Sequence, residues 1–343
     1  MGKVYGNRWE IRETLGEGGQ AHTFLAIDQR GEGQTQYVLK RLKNLNRLSR
    51  FAKEVEAIRN LNHEHIVRLI DFSLEEPEPY LVTEYCLGGA LVDADPTWFS
   101  QPRIAFDLFQ QICDGIAFAH GQGIIHRDIK PANVFLRGSH GPAVVGDFGI
   151  CYILDDGTRV TLTEEAVGAR NFMAPELEDG RLDQISSKSD TYSLGKLLYW
   201  LLSGGKVFAR EKYRDKQWDL KTPHLDSLLG WKNIYMEHAN RLLDLMITAD
   251  IEQRRDVGNI LILSRRTARL IEKEFTPISN AILQPCVYCG QGVYKLRAST
   301  NSEAENIGFS GRGAPDWRIL VCNSCGHIQA FRIDMAENKQ WWS

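Results

Sequence analysis

The first 85 residues contain short apolar stretches bounded by Gly, Asp and Pro, which is the pattern of β-strands connected by turns. This pattern predicts strands at 9–12, 23–27, 37–40, 67–72 and 80–85. Between the third and fourth strands, Phe51, Val55, Ile58 and Leu61 recur at helical spacing, which predicts an amphipathic helix at 49–61. The front of the chain is therefore expected to be a sheet accompanied by one helix.

Beyond residue 89 the pattern changes to a helical period. Residues 102–120 repeat apolar side chains along one stripe, and similar periods occur at 190–203, 238–248 and 256–275. A strand-rich lobe is thus expected to precede a helix-rich lobe, with a glycine-containing joint between them. Clefts between two such lobes are common ligand sites.

Composition excludes several classes of protein. The 343 residues are 43% hydrophobic and 25% charged, which is ordinary for a globular chain of two unequal domains. A net charge of −3 gives no bias toward nucleic acid or an anionic membrane. Residues 1–10 carry charges without the apolar core of a signal peptide, and no apolar stretch is long enough to cross a bilayer. We therefore expect a cytoplasmic protein with no membrane partner.

A glycine-rich turn, Leu15-Gly16-Glu17-Gly18-Gly19, separates the first two predicted strands. Glycine lets backbone N–H groups approach phosphate oxygens, although such a turn is also an ordinary hairpin connection. The turn lacks the Gly-Lys-Ser/Thr ending of a P-loop, and no helix follows it as a dinucleotide motif requires. The turn alone therefore indicates phosphate binding only weakly.

Lys40 lies within an apolar predicted strand, where a charged residue is uncommon unless it is paired. Glu54 lies on the following helix, and an ion pair between the two would orient the ammonium group toward a phosphate. Two separately solvated charges remain the alternative at this point.

Three further motifs follow in order: His126-Arg127-Asp128-Ile129-Lys130-Pro131-Ala132-Asn133, Asp147-Phe148-Gly149 and Ala174-Pro175-Glu176. With the glycine turn and Lys40, they resemble the eukaryotic-type (Hanks-type) serine/threonine protein kinases over residues 5–275, and the opening resembles bacterial members. The resemblance implies an α+β, two-lobed protein kinase fold, with an N-lobe at 5–86 and a C-lobe at 90–275.

The same resemblance implies a role for each motif residue in phosphate transfer from ATP. Asp128 would accept or orient the proton of the substrate hydroxyl, and Lys130 would lie near the transferred phosphoryl group. Asn133 and Asp147 would hold Mg²⁺, which prefers oxygen ligands. Lysine at position 130 resembles Ser/Thr kinases and not Tyr kinases. The residues expected to contact ATP, directly or through the metal, are Leu15, Gly16, Glu17, Gly18, Gly19, Thr23, Lys40, Glu54, Glu84, Cys86, Asn133 and Asp147.

Other positions are scaffold by the same resemblance. Thr83 would guard the back of the adenine pocket, and Glu84–Cys86 would form the hinge between the lobes. Glu176 would form a buried ion pair with Arg254. Asp190 would brace the catalytic loop.

The sequence departs from the family pattern at four positions. In the loop, Ala21 stands where the family has its third glycine, and Thr23 stands where a valine is usual. Val38 replaces the common alanine two residues before Lys40, and Ala169 replaces the threonine that usually precedes the Ala-Pro-Glu motif. No catalytic residue is missing, so the leading hypothesis is an enzyme that phosphorylates Ser or Thr of proteins, itself included. The alternative is a nucleotide-binding pseudokinase scaffold.

Three threonines, Thr158, Thr161 and Thr163, lie between Gly149 and Ala174. A phosphothreonine there could pair with Arg127 and order the segment. The alternative is that these are ordinary polar loop residues.

Two Cys-x-x-Cys pairs occur near the end of the chain, Cys286 with Cys289 and Cys322 with Cys325, each followed by glycine. Four thiolates satisfy a tetrahedral Zn²⁺ and leave no open position, so the metal would be structural. The spacing resembles a zinc ribbon, which predicts a small zinc-ribbon-like β domain at 286–343 after a linker at 276–285. His327 could replace one ligand, although an ordinary exposed histidine is favoured.

The partner of this second domain is indicated only by composition. Residues 276–343 contain six Lys and Arg against five Asp and Glu, which is too weak a basic footprint for nucleic acid. Trp341 and Trp342 favour contact with protein, either the kinase lobe or a separate partner.

Overall fold

The computed structural model describes residues 2–17, 21–31, 35–75, 77–148, 171–207, 239, 242–272, 294–298, 317–322 and 327–332. These residues form two compact units. The first contains the described residues up to 207 and those from 242 to 261, and the second contains mainly those from 262 onward. None of the helices within the described ranges is long and apolar enough to cross a bilayer.

The strand-rich lobe of the first unit is built on a six-stranded antiparallel sheet. Its strands are β1 (Val4–Tyr5), β2 (Trp9–Glu17), β3 (Ala21–Asp28), β4 (Gln36–Leu42), β5 (Leu69–Ser73) and β6 (Tyr80–Glu84). They lie in the order β1-β2-β3-β4-β6-β5. The five predicted strands are confirmed, and β1 was not predicted because two residues are too few to show a period.

Aromatic side chains fill one face of this sheet. Trp9 is fully buried, its ring lies 5.0 Å from that of Tyr37, and its indole N–H donates to Asp71 at 2.7 Å. Tyr5 of β1 packs edge-on against Tyr80, with the ring centroids 5.8 Å apart. The indole N–H thus has a hydrogen-bond partner, as a buried Trp requires.

The predicted helix of this lobe is confirmed as α1 (Leu48–Arg59). Phe51, Val55 and Ile58 are buried along one face, as their spacing predicts. Glu54 lies on the same face and is 4% exposed. A buried carboxylate is costly without a partner, and its partner belongs to the site described below.

The helix-rich lobe contains α2 (Pro96–Phe99), α3 (Pro102–Gly121), α4 (Pro175–Glu178) and α5 (Ser187–Leu202), together with the hairpin β7 (Val134–Leu136) and β8 (Ala143–Val145). A further helix, α6 (Val257–Glu272), begins in this unit. Most side chains of α5 are buried, so this helix runs through the core of the lobe. The helical periods at 102–120 and 190–203 are confirmed by α3 and α5, and the period at 256–275 is confirmed by α6 as far as residue 272. The rest of that period and part of 238–248 lie outside the described residues.

A buried ion pair stabilises the helix-rich lobe. Arg254 donates to both carboxylate oxygens of Glu176, at 2.6 and 2.9 Å, and both side chains are fully buried. Burial is the largest influence and raises the pKa of Glu176, but the hydrogen bonds from Arg254 and Ser189 and the charge of Arg254 together hold that pKa below its ordinary value. The pair predicted between these two residues is therefore confirmed, and Glu176 is ionised.

Replacing Arg254 by Met should lower the free energy of unfolding of this unit by about 3–5 kcal/mol, because it leaves a buried carboxylate without its counter-charge. Urea or thermal unfolding followed by tryptophan fluorescence measures this loss. Lys188→Met is the matched control, since Lys188 pairs with the exposed Glu252 and should cost less than about 1 kcal/mol. Equal losses in the two variants would show that the buried pair contributes no more to the free energy of unfolding than an exposed pair does.

The second unit contains a three-stranded antiparallel sheet of β9 (Tyr294–Ala298), β10 (Trp317–Cys322) and β11 (Ile328–Arg332), in the order β11-β10-β9. Cys322 ends β10, is 2% exposed, and its N–H donates to the carbonyl of His327 at 2.9 Å. The prediction of short strands in this region is thus confirmed. The predicted linker at 276–285 and the cysteines Cys286, Cys289 and Cys325 lie outside the described residues.

Candidate active site

Lys40 lies at the centre of a charged cluster between the two lobes. The register of the sheet pairs it with Thr23 of β3 and Leu81 of β6. Its Nζ lies 3.2 Å from Glu54 of α1 and 3.0 Å from Asp147, which follows β8. Lys40 holds the pKa of Asp147 below its ordinary value, so this carboxylate is ionised at neutral pH. The ion pair predicted between Lys40 and Glu54 is confirmed.

A second cluster gathers around Asp128. Its Oδ2 accepts hydrogen bonds from Lys130 Nζ and Asn133 Nδ2, each at 2.8 Å. Asn133 Nδ2 also donates to the Asp128 carbonyl at 2.8 Å. Because the amide nitrogen is used in this way, the amide oxygen of Asn133 remains an acceptor. The three residues thus bring a carboxylate, an ammonium group and an amide into direct contact.

A buried carboxylate fixes the loop that carries Asp128. Asp190 of α5 accepts the backbone N–H groups of His126 and Arg127, both at 2.8 Å, and lies 2.8 Å from His120 Nε2. The predicted bracing role of Asp190 is therefore confirmed. Because α5 runs through the core, this carboxylate ties the loop to a buried helix of the lobe.

Two residues of the site adopt a left-handed backbone that non-glycine residues rarely take. Arg127 has φ 69° and Asp147 has φ 50°. Each lies beside an anchored position, since His126 Nε2 contacts the carbonyl of Gly146 at 2.9 Å and the buried Phe148 ring lies 4.6 Å from the His126 ring. Strained backbone of this kind persists only where the surroundings hold it, and it is frequent at functional sites.

A cavity of about 420 Å³ lies between the lobes, within the range of small-molecule sites. Its wall combines apolar side chains with the charged pair of Lys40 and Asp147 at one place. Its apolar and hinge positions include Leu15, Val38, Leu81, Thr83 and Cys86. Burial raises the pKa of the Cys86 thiol to about 11, so this side chain is neutral. The cavity therefore offers apolar side chains to the ring of a ligand and the ammonium group of Lys40 to an anionic group.

The residues predicted to contact ATP divide into three groups. Leu15, Thr23, Lys40, Glu54, Glu84, Cys86 and Asp147 line the cavity. Gly16, Glu17 and Asn133 are not part of its wall, and the carboxylate of Glu17 instead receives a hydrogen bond from Lys43 at 2.9 Å. Gly18, Gly19, Gly149, Thr158, Thr161, Thr163 and Ala169 lie outside the described residues.

The donors needed for Mg²⁺ are oxygens of a carboxylate and an amide, which Asp147 and Asn133 supply. Asp147 is ionised and half exposed toward solvent, and Asn133 keeps its amide oxygen as an acceptor. The donor chemistry of the two residues therefore fits a hard divalent cation accompanied by phosphate.

Two features of the site were missed in the sequence. The left-handed backbone at Arg127 and Asp147 has no signal in residue type, because neither is glycine. Arg137, which contacts the carboxylate of Glu84 at 2.8 and 3.0 Å, was also missed. A charged residue directly after the apolar strand β7 was the one available signal for it.

The protein kinase domain model matches residues 9–262 of this chain. Among curated relatives, the chain is similar to the serine/threonine-protein kinase PknB of Mycobacterium leprae, with 34% identity over 59% of this chain and 33% of the relative. It is also similar to PrkC of Bacillus subtilis, with 30% identity over 80% of this chain and 43% of the relative. A probable serine/threonine-protein kinase of Clostridium perfringens is 28% identical over 83% of this chain and 43% of its own length. The matches thus span between a third and a half of these longer relatives.

Proposed function

This chain belongs to the protein kinase family, and from that premise we propose that it transfers the γ-phosphate of ATP to Ser or Thr hydroxyl groups of proteins, itself included. The observation that carries the proposal is the proximity of two charged sets, since the charge of Lys130 helps to lower the pKa of Asp147. Lys40, Glu54 and Asp147 form the first set, and Asp128 with Lys130 and Asn133 forms the second.

The proposed mechanism rests on positioning and charge. Phosphoryl transfer needs little covalent help from a protein and depends on alignment and on neutralising the phosphate oxygens. Lys40 would hold the phosphates, with Glu54 and Asp147 keeping its ammonium group in place. Asp147 and Asn133 would hold Mg²⁺, which when bound would neutralise further negative charge on the phosphate oxygens.

Asp128 would orient the substrate hydroxyl and accept its proton. Lys130 donates to Asp128 at 2.8 Å, and this contact supports the proposal that its ammonium group lies near the transferred phosphoryl group. A lysine in this place also supports the Ser/Thr class of acceptor. The names of PknB and PrkC support the same class, and none of the comparisons favours the pseudokinase alternative.

The acceptor class is tested with three peptides that are identical except for one central Ser, Thr or Tyr. We expect labelled phosphate from γ-labelled ATP to appear on the Ser and Thr peptides and to depend on added Mg²⁺. Transfer to the Tyr peptide alone, or equal transfer to all three, would contradict the proposed specificity.

ATP is abundant in the cytoplasm, which is therefore the compartment proposed for this activity.

For the second unit we propose a structural zinc site formed by Cys286, Cys289, Cys322 and Cys325. The described sheet supports it, because Cys322 is buried at the end of β10 and its N–H donates to the carbonyl of His327. A short segment with a small core gains folding free energy from thiolate–zinc bonds. The ribbon would contact protein, since its charge does not favour nucleic acid.

Replacing Cys322 by Ser should reduce the zinc content of the purified chain from about one to about zero per chain, since three remaining thiolates bind the metal much less tightly. Metal analysis by mass spectrometry measures this. Cys113→Ala is the control, because Cys113 lies within α3 and should leave the zinc content unchanged. Retained zinc in Cys322→Ser, or loss of ATP binding along with the metal, would argue against an appended zinc ribbon.

A further inference from the structure

Arg137 directly follows β7 and makes a two-pronged contact with Glu84, the last residue of β6. Its Nε donates to Glu84 Oε2 at 3.0 Å, and its Nη2 donates to Glu84 Oε1 at 2.8 Å. Bidentate pairs of this kind fix orientation as well as distance, because the guanidinium fork matches the two oxygens of a carboxylate. The contact joins the helix-rich lobe to the start of the hinge.

The same guanidinium group also reaches the loop between α1 and β5. Arg137 donates to the backbone carbonyl of Glu64 and to that of Ile66, the latter at 3.4 Å. Glu84 in turn accepts the backbone N–H of Arg68 at 2.8 Å. One arginine and one carboxylate therefore connect three segments: the hairpin β7–β8, the loop after α1, and the hinge.

The segment just after the hinge, Gly88 and Gly89, lies close to this hairpin. Gly88 N–H donates to the carbonyl of Leu136, and Leu136 N–H donates to the carbonyl of Gly89, both at 2.9 Å. A Cβ atom at Gly88 would lie 2.1 Å from the carbonyl oxygen of Gly138, so only glycine permits this approach. Through its contact with Glu84, Arg137 adds a side-chain link at the start of the hinge to these backbone contacts of Gly88 and Gly89.

Both side chains are largely shielded from water, with Glu84 19% and Arg137 31% exposed. Burial is the largest influence and raises the pKa of Glu84, but the hydrogen bonds from Arg137 and from the Arg68 N–H, together with the charges of these two arginines, hold that pKa below its ordinary value. Glu84 is therefore a carboxylate at neutral pH, and the pair is an ion pair and not merely a neutral hydrogen bond.

We propose that Arg137 is a positioning residue for ATP, which acts by holding Glu84 and so fixes the hinge wall of the cavity. Glu84, Tyr85 and Cys86 are consecutive in that wall, so a shift of Glu84 moves the backbone that meets the ring of the nucleotide. Arg137 itself is not part of the cavity wall and acts only through its partner. This inference rests on the proposed function, because it assigns the cavity to ATP.

The test measures the Kd for ATP and the kinetic constants of Arg137→Met in the full chain. We expect the Kd for ATP, and the KM for ATP with it, to rise about tenfold, equivalent to 1.4 kcal/mol. The kcat at saturating ATP should stay within about twofold, because the pair is not part of the reacting set. Arg137→Lys should also weaken binding, since an ammonium group cannot make the two parallel hydrogen bonds.

Two further variants separate positioning from general stability. Arg12→Met is the matched control, because Arg12 pairs with Glu10 on the surface of β2 and should leave the Kd unchanged. Glu84→Gln should also weaken ATP binding, since an amide offers Arg137 one acceptor oxygen where the carboxylate offers two.

A lowered Tm with an unchanged Kd for ATP would overturn the inference, since it would mean that the pair only stabilises the fold. An equal change in Kd for Arg12→Met would overturn it as well. The outcome is independent of phosphate transfer, because the Kd is read by displacement of a fluorescent ATP analogue. If the wild-type chain binds ATP without transferring phosphate, the proposed function fails while this inference is still decided by the Kd.

Discussion

Replacement of Asp128 by Ala is expected to lower the rate of phosphate transfer by roughly 10³-fold, the loss typical of a missing general base. The carboxylate is the shared acceptor of Lys130 and Asn133, so its removal also releases the two groups that would frame the reacting phosphate. Asp128 is not part of the cavity wall, and the Kd for ATP should therefore remain close to the wild-type value.

The matched control is Asp107→Ala, which removes an exposed carboxylate of α3 that accepts a hydrogen bond from Gln111. This variant should transfer phosphate at the wild-type rate. Asp128→Asn keeps the shape of the side chain and removes its charge, so it should be nearly as inactive as Asp128→Ala. Wild-type turnover in either Asp128 variant would remove this residue from the proposed mechanism.

Replacement of Lys40 by Met is expected to lower transfer by roughly 10²- to 10³-fold, as removal of a preorganised charge from a transition state does. Its Nζ lies 3.2 Å from Glu54 and 3.0 Å from Asp147, so the change removes the cation that would meet the phosphates. The effect on activity should exceed the effect on stability, which is measured as the change in Tm.

Lys40→Met also leaves Glu54 buried without its lysine, and a second variant accounts for that cost. Adding Glu54→Gln should raise the Tm again because it removes the stranded charge, whereas activity should stay low because the cation is still missing. Lys43→Met is the control, since Lys43 lies just beyond β4 and pairs with the exposed carboxylate of Glu17. Activity that returned together with the Tm in the double variant would show that Lys40 acts only through folding.

The parts of the site that the sequence predicted best are the ion pairs, because a charged residue type by itself shows that a partner of opposite charge is needed. A lysine in an apolar strand and an acid on the next helix suggested the pairing of Lys40 with Glu54, because a buried charge needs a partner. The kinase motifs further along the chain then favoured this pairing over two separately solvated charges. The pairing of Glu176 with Arg254 came from family resemblance, and the structure bears it out with two hydrogen bonds.

Element boundaries were predicted less well, for local reasons. The helical period predicted a helix from 190, but α5 begins at Ser187 because Ser186 caps it, accepting the N–H of Lys188. Ser189 completes this cap in place of the usual Glu or Gln, so the common sequence signature was absent. Polar residues in the first turn carry no hydrophobic period, which hides the true start.

The contacts of Arg137 could not be predicted, because they depend on tertiary proximity. Glu84 and Arg137 are 53 residues apart, and they meet only because the hinge lies against the β7–β8 hairpin at Gly88. The same holds for the left-handed backbone at Asp147, which is imposed by its surroundings and not by its residue type. Sequence periodicity reports which face of an element is buried, and not which partner it meets.

The central claim is that this cleft transfers phosphate to Ser or Thr. Its most direct test is intact-mass measurement and phosphosite mapping of the purified wild-type chain, first dephosphorylated and then incubated with Mg-ATP beside Asp128→Ala. The account predicts phosphate on Ser or Thr of the wild-type chain and none on the variant. A wild-type chain that binds ATP with normal affinity but gains no phosphate, and transfers none to the Ser and Thr peptides, would contradict it and favour a nucleotide-binding scaffold.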